Sequence, residues 1–158
     1  MKTLNIGMVG YGFMGRTHSN AFRQVSHFFD VPYEPVLKTV CARNEARARA
    51  FAAKWGYESV ATDWRKLVES PDIDVIDIVT PSHTHLELAW AALEAGKHVL
   101  CEKPVAYDYR ETLRASAFAK AKSLKTKLGF TFRYSPGVLY AKSLIDEGFV
   151  GKPFIFNG

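Results

Sequence analysis

Apolar residues fall along this chain in short runs separated by longer stretches of mixed character. Leu4–Val9 reads as a short buried strand, and helical character follows over about Met14–Gln24. "HFFDVPYEP" reads as a loop broken by Pro32 and Pro35, and Val36–Ala42 is strand-like. Glu45–Trp55 reads as a helix carrying Ala46, Ala50, Phe51 and Ala53, with Asn44 as its N-cap and Gly56 as its stop. Asp63 is placed to cap a short helix over "DWRKLVE". The β-branched strand "DVIDIVTP" ends at Pro81, the helix "HLELAWAALEA" at Gly96, and the strand "HVLCEKP" at Pro104. Asp108–Ser123 is a long helix, with Leu113, Ala117, Ala121 and Leu124 at helical spacing. "KLGFTF" reads as a strand, "PGVLYAKSLIDEG" as a helix begun by proline and closed by glycine, and "KPFIFNG" as a last strand.

Strands alternating with helices predict an α/β fold: a doubly wound, Rossmann-type parallel sheet with helices on both faces. Strands apolar throughout agree, because parallel strands are buried on both sides. The 158 residues suffice for a domain with its own core. Apolar residues make up 47% and charged residues 23%, which excludes a disordered chain.

The formal charge of +5 raises the question of an acidic partner, but the basic residues are scattered. Their densest run, Lys120–Lys127, falls where a helix should end and complements its dipole. No basic stripe is interleaved with aromatics, so nucleic acid is not expected as a partner. No apolar stretch approaches the ~20 residues that span a membrane, and none is expected. Met1 and Lys2 run straight into the first strand, so no signal peptide is expected. Cys41 and Cys101 sit inside apolar runs as small hydrophobes, which points to a reducing, cytoplasmic setting. Trp55, Trp64 and Trp90 lie at core-like helical positions and read as packing.

The candidate chemistry begins at "VGYGFMG", a G-x-G-x-x-G pattern between a strand and a helix. Gly10 permits the tight turn, Gly12 lets backbone approach a pyrophosphate, and Gly15 lets the helix pack close to the strand. The free N–H groups of Phe13, Met14 and Gly15 would then face the anion. The plainer alternative is a structural turn. At the tip of the second strand, NAD enzymes usually place a carboxylate for the adenosine ribose. Here Ala42 stands there with Arg43 beside it. The missing carboxylate removes a repulsion against a 2′-phosphate that Arg43 could pair with, which points to NADP. The other reading stays open: Arg43 stacks on the adenine and NAD is accepted.

"AGKHVLCEKPVA", with "VGYGFMG", "DIVTPSHTHLELAWAALEAGKH" and "FRYSPGVLYAKSLIDEGFVGKP", resembles the Gfo/Idh/MocA family of oxidoreductases over the whole chain. The spellings "YGFMGRTHSNAF" and "TDWRKLVESPDIDVIDI" are similar to its sugar and cyclitol dehydrogenase branch. The resemblance implies an NAD(P)-binding Rossmann domain over 1–133 and the start of a substrate domain over 134–158. The rest of that domain, with a histidine base one helical turn after an aspartate, is expected beyond Gly158, so the chain is expected to be truncated. The implied reaction moves hydride between nicotinamide and a secondary alcohol or ketone of a sugar or cyclitol-like substrate. A homo-oligomer is implied if the second domain is present. The rival is a stand-alone dinucleotide-binding module without catalysis.

The same resemblance places Lys103 beside the nicotinamide and the substrate hydroxyl. Physical reading agrees: Lys103 lies past the end of a parallel strand, Pro104 holds it out of helical geometry, and an ammonium favours a forming alkoxide. Thr80, Pro81, His83 and His85 are implied to line the cofactor groove near the nicotinamide ribose. His83 and His85 form an H-x-H pair with no carboxylate or cysteine close by in sequence, so no metal is expected. His85 reads as a helix-start residue touching cofactor or backbone. Glu102 either accepts a ribose hydroxyl or orients Lys103. Arg133, with Tyr134, matches a segment at the floor of the site, and a domain-linking role for Arg133 is the alternative.

Overall fold

The computed structural model describes residues 2–155. Among them, Lys2–Val9 (β1), Tyr33–Cys41 (β2), Ser59–Ala61 (β3), Val75–Ile78 (β4), His98–Cys101 (β5) and Thr126–Leu128 (β6) form one sheet in the order β3-β2-β1-β4-β5-β6. Every pairing is parallel. The helices are Phe13–Phe28 (α1), Glu45–Trp55 (α2), Trp64–Glu69 (α3), His85–Glu94 (α4), Tyr109–Ala121 (α5) and Pro136–Asp146 (α6). This is the doubly wound α/β architecture the alternation predicts, with its order reversing between β1 and β4.

Successive side chains of a strand point to opposite faces, and the core divides accordingly. Met8, Val40, Phe51, Tyr57 and Val79 pack together with Met14 and Phe22 on the α1–α2 side. Val9, Ile76, Ile78, Leu88, Ala92, Cys101 and Ala119 pack on the α3–α4–α5 side. Both cysteines are buried free thiols.

Caps behave as their residue types dictate. The Asn44 side chain accepts from Arg47 N at 3.0 Å, and Asp63 and Asp108 accept from Arg65 N and Arg110 N at 3.0 and 2.8 Å. Gly56 closes α2 in the left-handed region, at φ 83°.

Several boundaries depart from the hydrophobic pattern. The expected loop "HFFDVPYEP" is mostly regular structure: α1 runs on to Phe28, and β2 begins at Tyr33. Pro35 is tolerated because β3 pairs only with Thr39–Cys41, which leaves the start of β2 at an open edge. β3 is a strand the pattern does not announce. The expected strand "KLGFTF" is cut short at Leu128, and Thr131–Tyr134 forms a 3-10 turn. On α5 the buried positions are Ala115 and Ala119, while Leu113 is 62% exposed. The last expected strand is not seen over Lys152–Ile155, and Phe156–Gly158 lie outside the described residues.

Candidate functional site

The register gathers the candidate residues at one rim. Val9 pairs with Cys41 and with Ile78, Ile78 pairs with Cys101, and Cys101 pairs with Leu128. Gly10, Ala42, Thr80, Glu102, Lys103 and Gly129 therefore all follow the carboxyl ends of their strands. In open α/β sheets that rim, where the strand order reverses, is the ligand-binding crevice.

The three glycines do different work. Gly10 sits at φ 109°, its N–H donates to Cys41 O at 2.9 Å, and a Cβ there would lie 3.0 Å from Val79 O. Only glycine suits that position. Gly15 is buried, and a Cβ there would lie 3.2 Å from Gly10 O, so the residue sets how closely α1 packs on the turn. Gly12 is the N-cap of α1, offers no side-chain cap, and faces open space. The N–H groups of Phe13, Met14 and Gly15 thus have neither an intrahelical acceptor nor a capping oxygen. They point outward at the positive end of a helix of 16 residues, a disposition suited to an anion.

Ala42 is half-buried, its N–H bound to Ala61 O at 3.0 Å, and Arg43 is exposed beside it. Across the switch point Thr80 and Thr84 share a hydroxyl hydrogen bond of 2.6 Å, and Pro81 and His83 are exposed. His85 belongs elsewhere. It is 1% exposed, and its ring lies between Thr80 O and Pro104 O, 2.7 Å from each. The backbone contact expected of it is present on both ring nitrogens. The ring ties the turn after β4 to the turn after β5, and it is no partner for His83 in a metal site. Among the described residues no group of three or more His, Cys, Asp or Glu is placed to hold a metal.

Lys103 is exposed just beyond β5, with a cis peptide to Pro104. Glu102 is 5% exposed and turned inward. Its backbone N–H donates to Ile78 O at 2.9 Å, and its Oε2 accepts from Lys103 N at 3.2 Å. The contact to the Lys103 amide is the one an orienting role for Glu102 requires. Arg133 is exposed on the 3-10 turn after β6.

Two residues that sequence reasoning passed over complete the rim from below. His18, one turn into α1, places Nδ1 at 3.0 Å from both carboxylate oxygens of Asp77 on β4, and Nε2 at 3.1 Å from Glu102 Oε1. Both carboxylates accept when ionised, so the imidazolium satisfies the arrangement in full. Burial opposes charge on His18, but the hydrogen bonds and charges of Asp77 and then Glu102 outweigh it and raise its pKa above the ordinary 6.5. Burial likewise raises the Asp77 pKa, with His18 pulling against it. The signal was present: Asp77 is a lone acid inside an apolar strand, and a buried carboxylate demands a partner. His18 also faces outward, toward a hollow of about 460 Å³ walled by Met14, Phe22, Leu128, Phe130 and Tyr134.

A doubly wound parallel sheet with a glycine turn between its first strand and first helix has the architecture of a Rossmann-type domain. Residues 4–130 match the profile of the Gfo/Idh/MocA oxidoreductase family, described as having an NAD-binding Rossmann fold, and the chain belongs to that family. It is 41% identical to levoglucosan dehydrogenase of Pseudarthrobacter phenanthrenivorans, over its whole length and 41% of that protein's. It is 35% identical to a Bacillus subtilis scyllo-inositol 2-dehydrogenase (NAD(+)) over 78% of this chain and 37% of that one. A solved structure of levoglucosan dehydrogenase with NADH and L-sorbose superposes with a TM-score of 0.90 at 41% identity, covering 96% of this chain and 41% of that one. The chain thus spans about two fifths of the length of these relatives.

Proposed function

We propose that this chain is the dinucleotide-binding part of an NAD(P)-dependent dehydrogenase. The enzyme moves hydride between C4 of the nicotinamide and a secondary alcohol or ketone of a sugar or cyclitol-like substrate. The observation that carries the reading is the shared rim: one register sets the open amides of α1, the Thr80 turn and Lys103 at the same edge. The relatives named above are dehydrogenases, and one was solved with NADH and a sugar, which favours chemistry over a binding module without it.

In this reading Gly10, Gly12 and Gly15, with the amides of Phe13 and Met14, seat the pyrophosphate. Ala42 and Arg43 meet the adenosine ribose. Thr80, Pro81 and His83 border the nicotinamide ribose, with His85 bracing them from inside the fold. Lys103 supports the reacting oxygen, and its ammonium favours the alkoxide from which hydride leaves. Residues 134–158 open the substrate domain, Arg133 stands at the junction, and a homo-oligomer forms through that second domain. The two buried thiols favour a reducing, cytoplasmic compartment.

Between the two nucleotides, the exposed Arg43 and the absent carboxylate at Ala42 favour NADP, while the relatives' NADH complex supports NAD. Competitive titration tests this: Arg43→Ala should erase any preference for NADPH. The catalytic assignment has its own test. In the whole protein Lys103→Ala should leave dinucleotide affinity within about threefold and cut turnover more than tenfold, over ~1.4 kcal/mol. Unchanged turnover would remove Lys103 from the mechanism.

A further inference from the structure

We propose that His18 is a positioning residue for Lys103, acting through Glu102. The proposal rests on the reading that Lys103 serves the reacting oxygen. The chain of contacts is continuous. Asp77, fully buried on β4, holds the His18 ring by Nδ1 at 3.0 Å. The ring holds Glu102 Oε1 by Nε2 at 3.1 Å, and the other Glu102 oxygen accepts the Lys103 amide at 3.2 Å.

A second, independent feature keeps this arrangement open. Gly129, past the end of β6, has ordinary negative φ, so no backbone conformation demands glycine there. A Cβ at that position would collide with Glu102 Oε1 and lie 2.8 Å from its Cδ. The missing side chain makes room for the carboxylate. The His18 ring from α1 and the bare Gly129 after β6 thus meet one buried acid at the end of β5, whose other oxygen holds the Lys103 amide.

Plain stability does not account for it. Two buried carboxylates and a half-buried imidazole cost more to desolvate than an apolar filling of the same space would, unless every partner is satisfied. Every partner is satisfied while the cluster holds two protons, either both on the imidazole or one on the ring and one on a carboxyl. Loss of the second proton removes one donor and frees one of the two carboxylates from its tie.

The groups facing His18 are few. Asp77 comes from β4, Glu102 from the end of β5, and Lys127 of β6 borders the same hollow. Cys101, next to Glu102, is pushed up to about 12 by burial and by the charges of Asp77 and Glu102, so it stays neutral near pH 7.

The test needs only this chain and nuclear magnetic resonance. In the unsubstituted protein the His18 ring and the Lys103 amide should titrate together, with one midpoint above 6.5. In His18→Gln the Lys103 amide should lose that titration, while the amides of Gly10 and Gly15 stay in place and unfolding remains cooperative. Glu102→Gln should lower the His18 midpoint and uncouple the two signals. A Lys103 amide that stays flat while His18 titrates, or that His18→Gln leaves unmoved, would overturn the proposal and reduce His18 to a tie between α1 and β4. The titration of the unsubstituted chain decides this even if a variant fails to fold. NADH calorimetry on the same samples keeps the outcomes apart: absent binding with linked titration faults the dinucleotide reading, not the positioning role.

Discussion

Gly10 and Gly12 are the same residue type answering different demands. Gly10 is fixed by the fold, through its positive φ and its contact with Val79 O. Gly10→Ala should therefore lower stability by about 1–3 kcal/mol, measured by denaturant unfolding. Gly12 faces open space, so Gly12→Val should leave stability within about 0.5 kcal/mol and weaken dinucleotide binding at least tenfold, about 1.4 kcal/mol. Equal loss of stability in both variants would contradict the division of labour. The glycine turn between β1 and α1 was legible in sequence because its spacing is local. His18–Asp77–Glu102 was not, because three distant segments build it and no spacing rule links them. His85 was half legible: its place at a helix start could be read, its burial could not.

The His18–Asp77–Glu102 cluster also ties stability to pH. His18 has a folded pKa raised above 6.5, so its contribution is complete below that value and is lost as pH rises through the folded pKa. Asp77 has the same sign over a window that opens lower, at its ordinary 3.8, because burial makes its folded form hold a proton more tightly. Stability should therefore fall on the alkaline side of 6.5, and His18→Gln should flatten that limb. A wild-type profile flat across that range would refute the linkage.

Among the elements, the helices show where hydrophobic patterning loses its power. α2 and α5 are rich in alanine on all sides, so alanine spacing alone names no unique face. Capping is local and was read correctly at Asn44 and Asp63. Burial was not: on α5 the contact between α4 and α5, with Trp90 set edge-on to Phe118 at 5.4 Å, turns Ala115 and Ala119 inward and Leu113 outward. Leu113→Ser should therefore change stability by less than about 0.5 kcal/mol, whereas Ala119→Leu should cost about 1–3 kcal/mol by overpacking. Thermal unfolding of the two variants checks the face directly. β3 escaped notice for the opposite reason: three residues carry too little pattern to register.

For the molecule as a whole, strand order and register do what no single motif can. They bring turns from residues 10, 42, 80, 102 and 129 to one edge. The alternation of elements made the sheet legible; the meeting of those turns required it to be built. Beyond the sheet, Val138, Tyr140, Phe149, Val150, Phe154 and Ile155 are exposed apolar residues after β6. The relatives are more than twice this chain's length. In the proposed function the bare amides at the start of α1 grip a diphosphate. Isothermal titration calorimetry of the folded chain with NADH and with NADPH tests it most directly. Saturable binding of at least one of them, weakened tenfold or more by Gly12→Val, is the expected result. Absence of binding to either nucleotide at millimolar concentration, or affinity untouched by that substitution, would contradict the account.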